Sequence, residues 1–195
     1  NSWVTEGVVN TAAACLRWVR DTVFCGGGYD VINLEASEAA PKGGEVLFYP
    51  YLEGAGYPEY YKDAQGCFYG LSLAAKRGDL ALAVMEGIAF QIRDILERMS
   101  AYEDVHTIVL FGGGARSELW SQIISDVTEL ELRVPATPEA AGAGAAVLAG
   151  IATGEFERGQ TPALTCSRVY RPGARREELR EKRRRYRTIE YRLWR

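Results

Sequence analysis

The run Gly112-Gly113-Gly114-Ala115 follows an apolar, β-branched segment, Thr107-Ile108-Val109-Leu110-Phe111, and precedes a Ser117 that opens an amphipathic stretch. Consecutive residues without a Cβ let backbone N–H groups, and the chain itself, come close to a flat or anionic ligand. A helix starting just beyond them turns its positive N-terminus toward a phosphate. The run ends in no G-K-[ST] and fits no G-x-G-x-x-G pattern, so it is neither a Walker loop nor a dinucleotide fingerprint. Taken alone, the unit has two readings: a nucleotide-contacting turn, or a tight strand-to-helix turn with no ligand.

Few other residues have spacing that could carry chemistry. His106 is the only histidine, which disfavours any triad built on a histidine base. Cys15, Cys25, Cys67 and Cys166 lie far apart with no C-x-x-C pair, so a structural zinc site and a disulfide framework are both disfavoured. Glu53, Asp63, Asp79 and Glu86 have no spacing that forces a shared site and read as solvated or capping carboxylates. The tyrosines between Tyr49 and Tyr61, with Tyr69, could stack on a sugar or base, or simply pack a long loop.

The elements that must position these residues alternate between helix and strand. Residues 8–21 carry Val9, Ala13, Leu16 and Val19 at helical spacing, ending near Gly26-Gly27-Gly28. A second helix is expected over 31–45, stopped by Pro41 and Gly43-Gly44, and Val46 to Tyr49 reads as a buried strand. Tyr51 to Tyr69 is too broken by Gly and Pro for regular structure. Asp79 is expected to cap the clearest helix, with Leu80, Val84, Ile88, Ile92, Ile95 and Met99 as one apolar stripe. Thr107 to Phe111 reads as a central strand buried on both faces. Ser117 caps a helix with Leu119, Trp120, Ile123, Ile124 and Val127 inward, and Glu131 to Val134 is a short strand. Glu139 opens an Ala/Gly-rich helix to about Thr153 whose small side chains permit close helix–sheet packing. A last helix carries Leu179, Tyr186, Ile189 and Leu193 as a narrow stripe. The order is that of an α/β domain, with no internal repeat.

At 195 residues, with 47% hydrophobic and 11% aromatic residues, the chain can bury a real core and is not a disordered protein. No apolar run approaches the roughly 18 to 20 residues of a membrane span. The start, Asn1-Ser2-Trp3, shows no initiator Met and no secretory signal, as expected of a fragment or processed chain, and the dispersed cysteines make a cytoplasmic compartment the default expectation. The net charge of −3 conceals an asymmetry: residues 168–195 hold 12 Lys and Arg against 4 Asp and Glu, and the rest holds 11 against 22. Such a basic block is either a nucleic-acid arm or a solvated helix face that neutralises its own acidic domain.

Several segments together resemble one family. Residues 66–86, GCFYGLSLAAKRGDLALAVME, follow the second signature of the FGGY carbohydrate kinases: Gly66, Phe68, Gly70-Leu71, a seven-residue spacer, Asp79-Leu80, Ala83-Val84-Met85 and Glu86. The preceding FYPYLEGAGYPEYYKDAQGCFYGL is similar to that family's F-x-P-Y-L loop, FGGGARSELWSQIISDV to its adenosine motif, and EAAGAGAAVLAGIATG to the helix that follows. The likeness covers about residues 6–153, and the Pro172 and tyrosine-bearing final helix are similar to the family's end. One departure is Gly54-Ala55-Gly56, where many relatives carry Gly-Glu-Arg.

The resemblance implies a ribonuclease-H-like domain of the actin/hexokinase superfamily, α/β with a mixed sheet flanked by helices. It implies the C-terminal, nucleotide-binding domain over 1–167, with 168–195 as the basic C-terminal helix of the same domain. The N-terminal domain, with most of the sugar site and the catalytic aspartate, has no counterpart in this sequence. Carried over by position, Gly112, Gly113, Gly114 and Ala115 line the adenosine pocket with Ser117 at its rim, and Ala13, Leu16 and Arg17 face them from the first helix. No catalytic or metal-binding residue is carried over. The implied chemistry is transfer of phosphate from ATP, with Mg2+, to a sugar hydroxyl, depending on positioning and electrostatics. The helix ending Leu-Arg-Trp-x-Arg-Asp and the Pro-Tyr-Leu loop are similar to the xylulose-kinase branch. The partners implied are the sugar, ATP or ADP, and a second copy in a homodimer, with neither nucleic acid nor membrane. A catalytically inactive kinase-like assembly module is the alternative.

Overall fold

The computed structural model describes residues 4–56, 60–137, 139–157, 159 and 165–195. Helices α1 (Ala12–Thr22) and α2 (Tyr29–Ala39) come first, the second continued by a 3-10 turn over Ala40–Lys42. Strand β1 (Leu47–Tyr49) pairs antiparallel with β2 (Cys67–Tyr69). The long helix α3 (Arg77–Met99) is followed by β3 (Thr107–Val109), α4 (Glu118–Thr128) and β4 (Glu131–Pro135). Then come α5 (Ala140–Thr153), β5 (Cys166–Tyr170) and α6 (Arg176–Trp194). β4 is the middle strand of a mixed sheet, parallel to β3 and antiparallel to β5.

The core is built around α3. Every residue from Ala81 to Gln91 is buried, so this helix carries far more than the single stripe its periodicity suggests. Helices α1, α2 and α4 and strand β1 all pack on it. Two of its glycines make this possible. A Cβ at Gly78 would lie 2.5 Å from the Glu35 carbonyl oxygen of α2, and a Cβ at Gly87 would run into the Phe48 carbonyl oxygen of β1. Asp79 is not the N-cap: the helix starts at Arg77, and the Asp79 carboxylate reaches back to accept from the Lys76 amide at 2.8 Å.

Three other elements depart from the sequence expectations. β2 forms in a segment that had seemed too broken, because Phe68 and Tyr69 are good strand formers and Gly70, at φ +83°, ends the strand. Residues 57–59 of that segment lie outside those described. β3 is an edge strand, its Val109 exposed and its Thr107 and Ile108 half-buried, whereas Leu132 and Val134 of β4 are buried. No residue of α5 is buried, and Leu148 stays 69% exposed, so the expected close helix–sheet packing does not occur among the described residues.

The basic block folds onto the domain's own acidic face. Leu179, Tyr186 and Ile189 of α6 are buried, while Leu193 is exposed and Trp194 takes its place, edge-on to Tyr49 and Tyr51. The Tyr186 ring stacks on Tyr49 at 4.3 Å, and the Tyr49 hydroxyl donates to the Tyr186 carbonyl at 2.9 Å. Tyr49 and Tyr51 are therefore packing residues. Burial first, then the neighbouring Glu190 carboxylate, pushes both phenols well above their ordinary range. Around this stripe, Glu86 receives Arg175 at 2.8 Å and Lys182 at 2.6 Å, Asp94 pairs with Arg183 and Arg187, and Glu129 pairs with Arg180 at 2.9 Å.

Candidate nucleotide site

The glycine run is held from both ends. The Leu110 amide donates to the Arg133 carbonyl at 2.9 Å, extending β3 along β4. Gly112 then takes φ +80°, a conformation that a side chain would strain, and Gly113–Arg116 form a 3-10 turn. Ser117 caps α4 as expected: its Oγ accepts from the Trp120 amide at 3.0 Å. The Trp120 indole Nε1 donates to the Met85 carbonyl at 3.1 Å, which ties the turn to α3.

Across from this turn stands the first helical layer. A cavity of about 590 Å³ lies between Ala13, Leu16 and Arg17 of α1 and Gly113, Gly114 and Ser117 of the turn. Pockets of a few hundred to about 1,000 Å³ suit small ligands. The six residues come from positions about 100 apart in the chain, and the fold brings them to one place. Gly112 and Ala115 do not join them. They line a separate hollow of about 190 Å³ with Phe111, Arg116 and the end of β4, and the Ala115 carbonyl accepts from Arg168 Nη2 at 2.7 Å. The two innermost glycines also differ. A Cβ at Gly113 would meet nothing within 4 Å, whereas one at Gly114 would lie 3.3 Å from the Trp120 ring. Gly113 thus leaves room for a ligand, and Gly114 leaves room for Trp120.

Sequence reasoning missed five lining residues: Tyr29, Asp30 and Asn33 of α2, with Arg116 and Trp120. Tyr29, Asp30 and Asn33 sit one and four positions apart at the start of a helix, a spacing that puts them on one side. No glycine motif or charge pattern marks them, so nothing local distinguished that side from a solvated one. Tyr29 is held from behind, with the Arg20 guanidinium 5.2 Å from its ring centroid. Asn33 reaches the turn directly. Its Oδ1 accepts from Ser117 Oγ at 2.5 Å, while its Nδ2 donates to the Tyr29 carbonyl at 2.7 Å.

The electrostatics suit binding better than bond-making. Arg17 and Arg116 against Asp30 give the wall a cationic bias, which favours an anionic ligand. Cys15, on the same helix as Arg17, is fully buried, and burial pushes its thiol up, against a lowering bond to Thr11, so it is no thiolate nucleophile. Among the described residues, no three His, Cys, Asp or Glu side chains cluster to hold a metal ion. The arrangement can grip a flat, charged molecule between two helices and a glycine turn.

Known proteins share both sequence and fold with this chain. Residues 1–153 match the family model described as the FGGY family of carbohydrate kinases, C-terminal domain. A gluconokinase of Bacillus subtilis is 33% identical over 167 residues, covering 80% of this chain and 33% of that protein. A xylulose kinase of Staphylococcus epidermidis is 31% identical over 159 residues, covering 80% and 32%. The chain therefore spans about a third of the length of these relatives. The crystal structure of a xylulose kinase from Brucella ovis superposes with a TM-score of 0.80 at 29% identity, over 93% of this chain and 38% of that one. A Plasmodium falciparum glycerol kinase solved with ADP shares the fold at a TM-score of 0.80 and 22% identity, over 95% and 38%. The mixed sheet flanked by helices is thus the α/β fold of sugar kinases of the actin/hexokinase type. With the family model matched over residues 1–153 and a relative 33% identical over 80% of the chain, this chain belongs to the FGGY family of carbohydrate kinases, corresponding to its C-terminal domain.

Proposed function

We propose that this chain is the ATP-binding half of a carbohydrate kinase that transfers a phosphoryl group from ATP to a sugar hydroxyl, with a pentulose such as xylulose as the leading substrate. One observation carries the reading: Ala13, Leu16 and Arg17 face Gly113, Gly114 and Ser117 across a single cavity, where the resemblance expects adenosine. The helical wall and the glycine turn hold base and ribose, and Arg17 and Arg116 supply charge toward the phosphates. Mg2+ is expected to enter with the phosphates of the nucleotide. Xylulose is favoured by the relatives from Staphylococcus and Brucella, with gluconate and glycerol as the competing classes. In this reading residues 1–167 form the nucleotide domain and 168–195 its closing helix.

The protein is proposed to act in the cytoplasm and to form a homodimer. No helix among the described residues is long and apolar enough to cross a membrane. The basic helix is proposed not to bind nucleic acid, because Arg175, Arg180, Lys182, Arg183 and Arg187 already pair with carboxylates of the same chain.

Titrating ADP while following backbone amide NMR shifts tests the site. Shifts are expected at Ala13, Arg17, Gly113, Gly114 and Ser117, with a dissociation constant on the order of 0.1 to 1 mM, or roughly 4 to 5.5 kcal/mol. Shifts confined to other residues would move the site elsewhere and leave the glycine run as a tight turn.

A further inference from the structure

β5 lies on the opposite edge of the sheet from β3, yet one of its side chains reaches the glycine turn. The register of β4 and β5 steps from Val134 opposite Arg168 to Pro135 opposite Cys166, which leaves Ser167 as an extra residue in a β-bulge. The Ser167 hydroxyl, 3.3 Å from the carbonyl oxygens of both Val134 and Pro135, donates between them. Bulges of this kind re-aim neighbouring side chains. The half-buried Arg168 guanidinium spans from β5 to the turn, where Nη2 donates to the Ala115 carbonyl at 2.7 Å and Nη1 to the Glu118 carboxylate at 3.4 Å. Within the turn, the Gly112 and Gly114 carbonyls accept from the Ala115 and Ser117 amides, both at 3.2 Å. Ser117 then takes extended backbone, φ −85° and ψ 113°, so the ladder of α4 opens at its carbonyl, which accepts from the Ser121 amide at 3.0 Å. The Ala115 carbonyl falls between these two sets, in a residue 5% exposed, and Arg168 supplies a donor to it. A buried carbonyl deprived of its donor is costly.

We infer that Arg168 is a positioning residue that holds the Gly113–Arg116 turn in its ligand-binding shape. This rests on the reading of the cavity as a nucleotide site. β3, which delivers the turn, is a three-residue edge strand and anchors it weakly. Gly112, Gly113 and Gly114 have no side chains to pack, and glycine loses more conformational freedom on ordering than any other residue. A loose turn would lose that freedom on binding, which lowers affinity; a turn already fixed binds without the loss. Arg168 lines the hollow beside Gly112 and Ala115, whereas Gly113 and Gly114 line the nucleotide cavity, so Arg168 acts through the turn and not on the ligand. β5 lies beyond residues 1–153, so the family match by itself does not point to this residue.

The test is NMR titration of the 195-residue chain with ADP and with adenosine, combined with amide hydrogen exchange. Arg168→Met keeps the stem and removes every donor; it is expected to weaken ADP and adenosine by the same factor, about fivefold or more. Exchange should quicken at Gly113 to Ser117 and stay unchanged from Ala81 to Gln91 in α3. Arg168→Lys, whose ammonium can donate to the same carbonyl, should restore affinity to within about twofold of the parent. Glu118→Gln removes the exposed ion-pair partner and should leave affinity within about twofold, which separates the carbonyl bond from the charge pair. Arg168→Gln, too short to reach Ala115, should repeat the fivefold loss and serves if the methionine variant does not fold. ADP affinity within twofold of the parent in Arg168→Met, or in Arg168→Gln where that variant replaces it, overturns the role of Arg168 and leaves the nucleotide site standing. So does a loss seen with ADP but not with adenosine, which would make Arg168 a direct phosphate contact, or quickened exchange throughout α3, which would make it a residue of the fold at large. Absence of shifts around the cavity when the parent chain is titrated with ADP overturns both the site and the role of Arg168 in it.

Discussion

Glycine 87 allows the core to be tested through the sign of a single substitution. In a helix without tertiary contacts, Gly→Ala stabilises by about 0.8 to 1 kcal/mol, because alanine loses less backbone freedom on folding. At Gly87 the new methyl would run into the Phe48 carbonyl oxygen and lie 3.2 Å from its carbonyl carbon. Both are backbone atoms of a buried strand paired to β2, so neither can swing aside as a side chain would. Overpacking of this kind costs about 1 to 3 kcal/mol, and at the upper end where backbone must shift. Gly87→Ala is therefore expected to destabilise by about 1 to 2 kcal/mol net. The control is Gly144→Ala in α5, where a Cβ meets nothing within 4 Å and the full helix gain of up to about 1 kcal/mol should appear. Urea unfolding followed by tryptophan fluorescence and circular dichroism gives both numbers, and in a chain of this size each kcal/mol moves the melting midpoint by about 2 to 4 °C. A Gly87→Ala protein as stable as its parent, with an unchanged denaturant slope, would refute the claim that β1 crosses α3 in contact at this glycine.

Three further outcomes follow from features already described. Glu86→Gln should cost about 3 to 5 kcal/mol in the same urea assay, because it leaves the Arg175 and Lys182 charges without the 1%-exposed carboxylate they share; a loss below 1 kcal/mol would mean that water serves them instead. The Arg180 bonds hold Glu129 below the usual carboxylate range, and those from Arg183 and Arg93 hold Glu97 below it despite burial, so the stability both provide is present above about pH 4.3 and lost as pH falls through their lowered values. Asp94 runs the other way, raised by burial against the pull of Arg183, so its contribution grows as pH falls; the urea midpoint should still decline from about pH 5 to 3, and Glu129→Gln should flatten that decline. The purified 195-residue chain should release no ADP in a coupled assay with xylulose, gluconate or glycerol, since it matches only the C-terminal domain of the family; sugar-dependent turnover would place the whole reaction within it.

What the sequence made legible was mainly local. The Ser117 cap, the inward face of α4 and the stripe of Leu179, Tyr186 and Ile189 each depend on residues within a few turns of one another, and periodicity reports them. Ala13, Leu16 and Arg17 were placed opposite the glycines only through resemblance, since no pattern in α1 points across the chain. Features that depend on distant partners stayed hidden. Asn33 meets Ser117 across 84 positions, and Glu86 meets Lys182 across 96, and neither pair leaves a local trace. The basic block looked like a possible nucleic-acid arm because its carboxylate partners lie on α3 and just after α4. The run at 107–111 read as a central strand because apolar continuity reports what a strand prefers to contact, not how many neighbours it has.

The stack of Tyr186 on Tyr49 also sets a timetable for synthesis. The hydroxyl of Tyr49 donates to the Tyr186 carbonyl, 137 positions later, and Trp194 closes over the same ring. Both tyrosines are wholly buried, so β1 and α3 present an open aromatic face until α6 arrives. At about 5 to 20 residues per second, the ribosome needs roughly 7 to 30 seconds to make the intervening stretch. For that interval the nascent chain carries an uncovered apolar surface beside a row of unpaired carboxylates on α3. A chaperone that holds apolar segments would find its binding site there, and a ribosome stalled anywhere before residue 186 would leave a chain unable to finish its core.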